Sequence, residues 1–229
     1  MSYASQVCLQ AFINTPSIAA RVDEEWEKIS RDYEAAYAAM PARFMDRTEL
    51  SFHSYVKLLG FLCLDVASLS GDVVEIGVWK GKSLAFMQRF LNDTTKFIGI
   101  DPFELKGQVQ EVSYFHNTLF PSCNLIQAYS QNAIAVTASL TKRIKILHID
   151  GGHLRMHVWT DFLLYERFVV PGGYIVFDDY GDTECSPEVG PAVDEIREAG
   201  LFRDYEAIGQ LVGYEGSYVL RKLSNSNCR

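Results

Sequence analysis

From residue 72 to residue 179 two hydrophobic patterns alternate. Short β-branched and aliphatic runs, "DVVEIGV" (72–78), "KFIGID" (96–101), "NLIQAY" (124–129), "IKILHID" (144–150) and "GGYIVFDD" (172–179), predict strands. Between them "KSLAFMQRFL" (82–91), "QNAIAVTASL" (131–140) and "LRMHVWTDFLLYERFV" (154–169) predict helices, the last ended by Pro171-Gly172-Gly173. After residue 180 a loop rich in Gly, Pro and acids leads to a short helix, "PAVDEIREAG" (191–200), with Pro near its start and Gly just past its end. Two closing strands, 205–215 and 217–223, read as an antiparallel pair turning at Glu215-Gly216. Upstream, residues 19 to 40 carry Trp26, Ile29, Tyr33 and Tyr37 at helical spacing, and Pro41 ends that helix. A second amphipathic stretch runs from 48 to 69. Strands alternating with helices predict an α/β, Rossmann-like, doubly wound sheet. It is seven-stranded and mostly parallel, with an antiparallel C-terminal strand, helices on both faces and an N-terminal helical extension. We divide the chain into residues 1–70, a helical cap, lid or oligomer contact, and residues 71–229, the α/β domain.

Polar residues interrupt these runs in one place repeatedly, the strand ends. Asp150 closes one run, and Asp178 and Asp179 close the next. Neighbouring parallel strands lie about 5 Å apart, so three carboxylates meet at the edge where open α/β sheets bind ligands. Clustered carboxylates repel unless a cation or shared proton compensates; a hard divalent metal is the first candidate. Loop capping is the bland alternative for the pair. His153 follows Asp150 on a turn bent by Gly151 and Gly152, and histidine is the residue type suited to proton transfer near neutral pH. It reads as a general base, against the alternatives of a loop hydrogen bond or a metal ligand. His148 and His157 read as structural, and His53 and His116 carry no signal.

The turn after the first strand, "EIGVWKGKS" (75–83), has G-x-x-x-G spacing. That fits neither the dinucleotide fingerprint nor the P-loop, which disfavours a nicotinamide dehydrogenase. Glycines there admit a ligand close to the backbone at a helix start. Asp101, ending the next strand, is placed to accept hydrogen bonds from ribose hydroxyls. Glu75 is an acid inside a strand and needs a buried donor; either a ligand or a backbone group would serve.

These residues resemble the class I S-adenosylmethionine-dependent methyltransferases. "GDVVEIGVWKGKS" followed by "IGIDPF" is similar to their motif I and second-strand acid, and "HIDGGH" is similar to the D-G-x-H motif of macrocin-type sugar and small-molecule O-methyltransferases. The resemblance covers about residues 71–201. It implies that Glu75, Gly77, Gly81 and Ser83 hold the methionine end of S-adenosylmethionine, Asp101 the ribose, and Ser130 the adenine. It further implies Mg²⁺ or another hard divalent cation on Asp150, Asp178 and Asp179, with Asp150 and His153 catalytic. The acceptor implied is a hydroxyl of a sugar or polyhydroxy natural product. Alternatives are a catechol-type O-methyltransferase and a catalytically lapsed cofactor-binding protein. Two positions depart from the family pattern: Gly152 stands where an acid is usual, and Arg155 where Tyr is.

Composition narrows the partners. With 229 residues, 48% hydrophobic and a net charge of −8, the chain reads as globular and unsuited to nucleic acid or anionic membranes. Five scattered cysteines without CxxC spacing suit reduced thiols. No signal-peptide pattern or membrane-length apolar run is present, so the expectation is a cytoplasmic protein with a small-molecule acceptor and self-association through the N-terminal helices.

Overall fold

We analysed a computed structural model, which describes residues 3–46 and 56–224. Residues 48–55 of the second predicted amphipathic stretch, and His53, lie outside the described residues. Seven strands, β1 (Asp72–Ile76), β2 (Phe97–Asp101), β3 (Asn124–Gln127), β4 (Ile144–Ile149), β5 (Val169–Phe177), β6 (Tyr205–Leu211) and β7 (Tyr214–Lys222), form one sheet in the order β3-β2-β1-β4-β5-β7-β6. Neighbours among β1 to β5 are parallel, while β7 runs antiparallel to both β5 and β6. This is the Rossmann-like, mostly parallel seven-stranded architecture with antiparallel C-terminal strands that the sequence led one to expect.

Each central strand is apolar on both sides because both faces are covered. Val73, Ile146, Tyr174 and Val176 join one apolar cluster, and Val74, Leu147, Ile175 and Phe177 join another. The first cluster takes residues from α1 (Tyr3–Ile13), α2 (Pro16–Ala39), α3 (Lys57–Asp65), α4 (Lys82–Met87) and α5 (Gln108–Leu119). The second takes α6 (Ser130–Leu140), α7 (Arg155–Tyr165) and α8 (Val189–Glu198). The N-terminal helices therefore share a core with the sheet: Ile29 and Tyr33 of α2 are fully buried, and Tyr33 stacks on Phe115 with ring centroids 4.9 Å apart.

Three details differ from the sequence expectation. The helix ending at Pro171-Gly172-Gly173 stops earlier, at Tyr165 and a single 3-10 turn, and those three residues lie inside β5. Gly172 takes a φ of +82° there, and the register of β5 on β4 shifts between Ile144 and Ile146; proline and glycine mark an irregularity in the strand, not its start. The C-terminal hairpin turns at Val212-Gly213 instead of Glu215-Gly216, since Leu211 pairs with Tyr214 and Gly213 supplies the left-handed φ of +85° that a two-residue hairpin loop favours. Helices α1 and α5 carry no sequence prediction. The weak patterning of α5 is explained by Glu111, a charged residue pointing inward and fully buried.

Glu111 serves the loops at the sheet's C-terminal edge. Its Oε2 lies 3.1 Å from Nζ of the equally buried Lys80, and its Oε1 accepts the backbone N–H groups of Phe44 (3.1 Å) and Met45 (3.0 Å). Tyr33 donates to the carbonyl of Lys80 at 3.1 Å. The turn after β1 is thus clamped from α2, α5 and the connector behind α2. A buried ion pair contributes little net stability, but removing one member strands a buried charge at a cost of about 3–5 kcal/mol.

A second buried acid, Asp161 of α7, is 3% exposed, and burial raises its carboxyl to about 6 against a lowering hydrogen bond from Ser130. A raised carboxyl pKa destabilises the fold above that value and not below the unfolded value near 4.

Two outcomes follow. Lys80→Met and Glu111→Gln each lower stability by about 3–5 kcal/mol in denaturant unfolding, because each removes the opposite charge from a fully buried one. Asp161→Asn unfolds at a higher temperature than the wild type at pH 7.5, by the equivalent of about 2–3 kcal/mol, and the gap closes by pH 4.

Candidate active site

The chain reverses its direction of travel across the sheet between β1 and β4, and the crevice at that reversal is where such sheets bind ligands. The turn after β1 reaches it first. Gly77 has φ +89°, and a Cβ there would sit 1.7 Å from the carbonyl oxygen of Asp150; only glycine lets the β1 turn cross the end of β4 so closely. Gly81 also has a positive φ, but the atom a side chain would strike is the Phe120 ring, at 2.2 Å. Its requirement is met by packing alone. Ser83 is half-buried in the first turn of α4.

Glu75 finds its donor in a side chain. Register places it opposite His148 on β4, and Nδ1 of His148 lies 2.7 Å from Oε1 of Glu75, both groups buried. Burial pulls the His148 pKa down, but the Glu75 hydrogen bond and charge, with Asp178 and Asp179 beyond, raise it overall. Oε2 of Glu75 is buried and has no hydrogen-bond partner among the described residues, an acceptor beneath the glycine turn suited to a ligand's donor.

Asp101 is engaged by its own backbone surroundings. Oδ2 accepts Val78 N–H (2.9 Å) and Trp79 N–H (3.2 Å), and Oδ1 accepts Phe103 N–H (2.6 Å). Three of the roughly four acceptor positions of a carboxylate are filled, so one remains for a ribose hydroxyl and the group also holds the β1 turn to the end of β2. Ser130 begins α6; its carbonyl accepts Tyr165 OH at 2.7 Å, and its hydroxyl lies toward Asp161 and Gln131.

At the ends of β4 and β5, Ile149 pairs with Phe177, which sets Asp150 beside Asp178 and Asp179. The three acids do not form one even cluster. Asp150 is shared between an inner group with His148 and Asp178 and an outer group with His153 and Asp179, one ligand atom from each member lying within 4.8 Å of the others. Asp178 is buried, and its Oδ1 accepts Ser217 Oγ–H at 2.9 Å. Burial raises its carboxyl to about 6, with His148 acting against that rise. Asp150 is raised well above the ordinary carboxylate range, first by burial and then by the charges of Asp178, Asp179, Glu75 and Asp101. The slot between these strand ends encloses about 10 Å³, room for one water or a small ion and nothing larger.

His153 stands at the rim, with 46% of its side chain exposed. Nε2 lies 3.1 Å from Oδ2 of Asp179, and Nδ1 lies 2.9 Å from Oγ of Ser186, which donates to the same Asp179 oxygen at 3.0 Å. Ser186 is a site residue the sequence did not reveal; it sits in the acidic loop before α8, where nothing in spacing or composition marks it. That loop is shaped by Asp182, which accepts the N–H groups of Cys185 (2.9 Å) and Glu184 (3.0 Å).

Both departures from the family pattern have local causes. A Cβ on Gly152 would lie 2.1 Å from Nδ1 of His157, so the position excludes any side chain without movement of that ring. Arg155 turns to α8, with its N–H on Glu188 (3.0 Å) and Nη1 2.6 Å from Glu195. Tyr180 is tied to Asp194 (3.1 Å), and its ring lies tilted at 44° against that of Tyr218, centroids 4.7 Å apart. Among the described residues, the non-glycine positions with positive φ are Trp79 (+50°), Phe103 (+51°) and Asp179 (+59°). They follow β1, β2 and β5 respectively, so the strained backbone lies at the ligand edge, where strain commonly accompanies function.

Comparison with known proteins agrees with this geometry. Residues 74–180 match a family described as a methyltransferase domain. An uncharacterized protein of Acanthamoeba polyphaga mimivirus is 36% identical over 180 residues, which span 74% of this chain and 80% of that protein. Among solved structures, the O-methyltransferase from Bacillus cereus in complex with S-adenosylhomocysteine superposes with a TM-score of 0.60 at 15% identity, covering 86% of this chain and 91% of that one. CalS11, a TDP-rhamnose 3'-O-methyltransferase of calicheamicin biosynthesis, does so with a TM-score of 0.58 at 15% identity, covering 87% and 93%. The matched domain, in a chain that shares most of its length with that relative, places this protein among the methyltransferase-domain proteins, and its fold is that of the O-methyltransferases it superposes on.

Proposed function

We propose that this methyltransferase moves the methyl group of S-adenosylmethionine to a hydroxyl of a sugar or other polyhydroxy small molecule, with a divalent cation such as Mg²⁺ at the acid cluster. The observation that carries the reading is the convergence of Asp150 with Asp178 and Asp179 beside His153, on the strand ends adjoining the glycine turn. The residues fit such a cation: hard oxygen donors, a slot of ion size, and Asp150 destabilised as a carboxylate by its neighbours. Asp150 and Asp179 are the ligands best placed to face an acceptor, with Asp178 behind them on Ser217.

A bound cation there would lower the pKa of a coordinated hydroxyl. His153 stands at the rim with Nε2 turned to the Asp179 carboxylate; with that carboxylate engaged by a cation, the freed imidazole nitrogen would take the acceptor proton as oxygen attacks the methyl group. Glu75, with Gly77, Gly81 and Ser83, borders the methionine end of the donor; Asp101 meets the ribose; and Ser130 with Asp161 lies on the adenine side. Methyl transfer needs mainly in-line positioning, which fits a turn clamped by Lys80 and Glu111. The sugar acceptor is supported by CalS11, whose name gives a deoxysugar nucleotide substrate. Natural-product biosynthesis, a cytoplasmic location and self-association through the N-terminal helices belong to the same proposal; among the described residues no helix is long and apolar enough to cross a membrane.

The test is turnover of S-adenosylmethionine across a panel of polyhydroxy and catechol acceptors. Turnover of a polyhydroxy acceptor that EDTA abolishes and Mg²⁺ restores is the expected result. His153→Ala lowers kcat by about 10²–10⁴-fold while cofactor affinity stays within about twofold. Activity indifferent to EDTA rejects the metal, methylation confined to catechols rejects the acceptor class, and cofactor binding with no turnover on any acceptor marks a lapsed enzyme.

A further inference from the structure

A second site lies at the opposite edge of the sheet. A cavity of about 580 Å³ opens where the strands begin, between the end of α3, the N-termini of β1 and β4, and the loops entering β2 and β4. Its walls carry three cations, Lys142, Arg143 and Lys145, against one acid, Asp72. This is a local positive balance on a chain whose net charge is −8. Hydroxyls of Ser68, Ser70, Thr94, Thr95 and Thr141 complete the polar lining.

Lys145 makes this more than a basic patch. It is 2% exposed, and its ammonium contacts only neutral acceptors: Thr95 Oγ1 at 3.0 Å and the Leu69 carbonyl at 3.4 Å. No carboxylate of the described residues comes within ion-pair distance. Asp72, the one acid on the wall, spends its Oδ1 on the backbone N–H of Lys96 at 2.9 Å. Buried cations are normally paired, as Lys80, buried in the turn after β1, is with Glu111. Lys145 is buried without a counter-ion and borders a cavity rimmed by two further cations. Arg143 holds the Ser70 carbonyl at 3.3 Å through Nη2 and keeps its remaining donors for the rim.

We propose that this cavity binds an oxyanion-bearing small molecule of sugar-phosphate size. Its phosphoryl group pairs with Lys145 and Arg143, and its hydroxyls meet the serine and threonine side chains. The volume exceeds what inorganic phosphate needs and lies within the range of small-ligand sites. The site is on the far side of the sheet from Asp150 and Asp101, so its ligand is neither the methyl donor nor the acceptor. Its effect on the reaction, where there is one, is exerted through β1 and β4, which begin at this cavity and end at the catalytic edge.

The experiment is calorimetric titration of the full chain, saturated with S-adenosylhomocysteine, using inorganic phosphate, ribose 5-phosphate and, at matched ionic strength, sodium chloride. Ribose 5-phosphate is expected to bind more tightly than phosphate, with chloride giving no saturable heat. Lys145→Met and the rim variant Arg143→Ala each weaken it by about tenfold or more, as expected for loss of a charge-assisted contact. Arg143 is exposed, so that variant reports on binding where Lys145→Met disturbs folding. S-adenosylhomocysteine affinity stays unchanged in both. No saturable binding, binding insensitive to Arg143→Ala, or binding lost in an Asp150→Asn variant instead would overturn the proposal.

Discussion

Negative charge is crowded along the sheet's C-terminal edge, and the structure around it is organised to hold that charge. Glu75, Asp101, Asp150, Asp178 and Asp179 come from the ends of four adjacent strands, and two full negative charges within 4.8 Å, as Asp150 stands to Asp178 and to Asp179, cost roughly 3–4 kcal/mol at an effective dielectric of 20. Four of the five have local compensation. His148 takes Glu75, three backbone N–H groups take Asp101, Ser217 takes Asp178, and Ser186 with His153 takes Asp179. The side chain of Asp150 receives no hydrogen bond from the described residues, and its pKa is driven furthest from the ordinary range. Its environment favours a proton or a cation, and the cation proposed above would meet that demand at neutral pH.

The same edge must also be rigid, since in-line transfer tolerates little misplacement. Rigidity comes from behind. The β1 turn is held by Asp101 on one side and by Tyr33, Lys80 and Glu111 on the other, and Glu111 also fixes the backbone of Phe44 and Met45. The N-terminal helices are in this sense part of the site's foundation, with α2 packed into the same core as the strands. A clamp built from a buried ion pair favours one geometry more than it adds stability.

Much of this was legible in residue order. Short β-branched and aliphatic runs, bounded by turn residues and alternating with longer helical stretches, located all seven strands. The acids at strand ends stood out because Asp101, Asp150 and the Asp178-Asp179 pair each close an apolar run at the same edge of the sheet. What escaped were contacts set by the third dimension. Glu75 meets His148 only through the β1–β4 register; Ser186 reaches His153 from a loop whose shape depends on Asp182; and Asp101 is occupied by the turn it was expected to face as a ribose acceptor. Helix α5 escaped because its inward-facing Glu111 breaks the apolar stripe. The Pro-Gly-Gly in β5 misled in the opposite direction, since such residues usually bound a strand and here they bend one.

The central claim is that Asp150 anchors a cation at this edge, and direct binding tests it best. Titration of Mg²⁺ into the S-adenosylhomocysteine complex, followed by calorimetry, is predicted to show one site in the wild type and none in Asp150→Asn. The variant keeps the shape of the side chain while removing its charge. Absence of Mg²⁺ binding in the wild type, or equal binding in Asp150→Asn, would contradict the account.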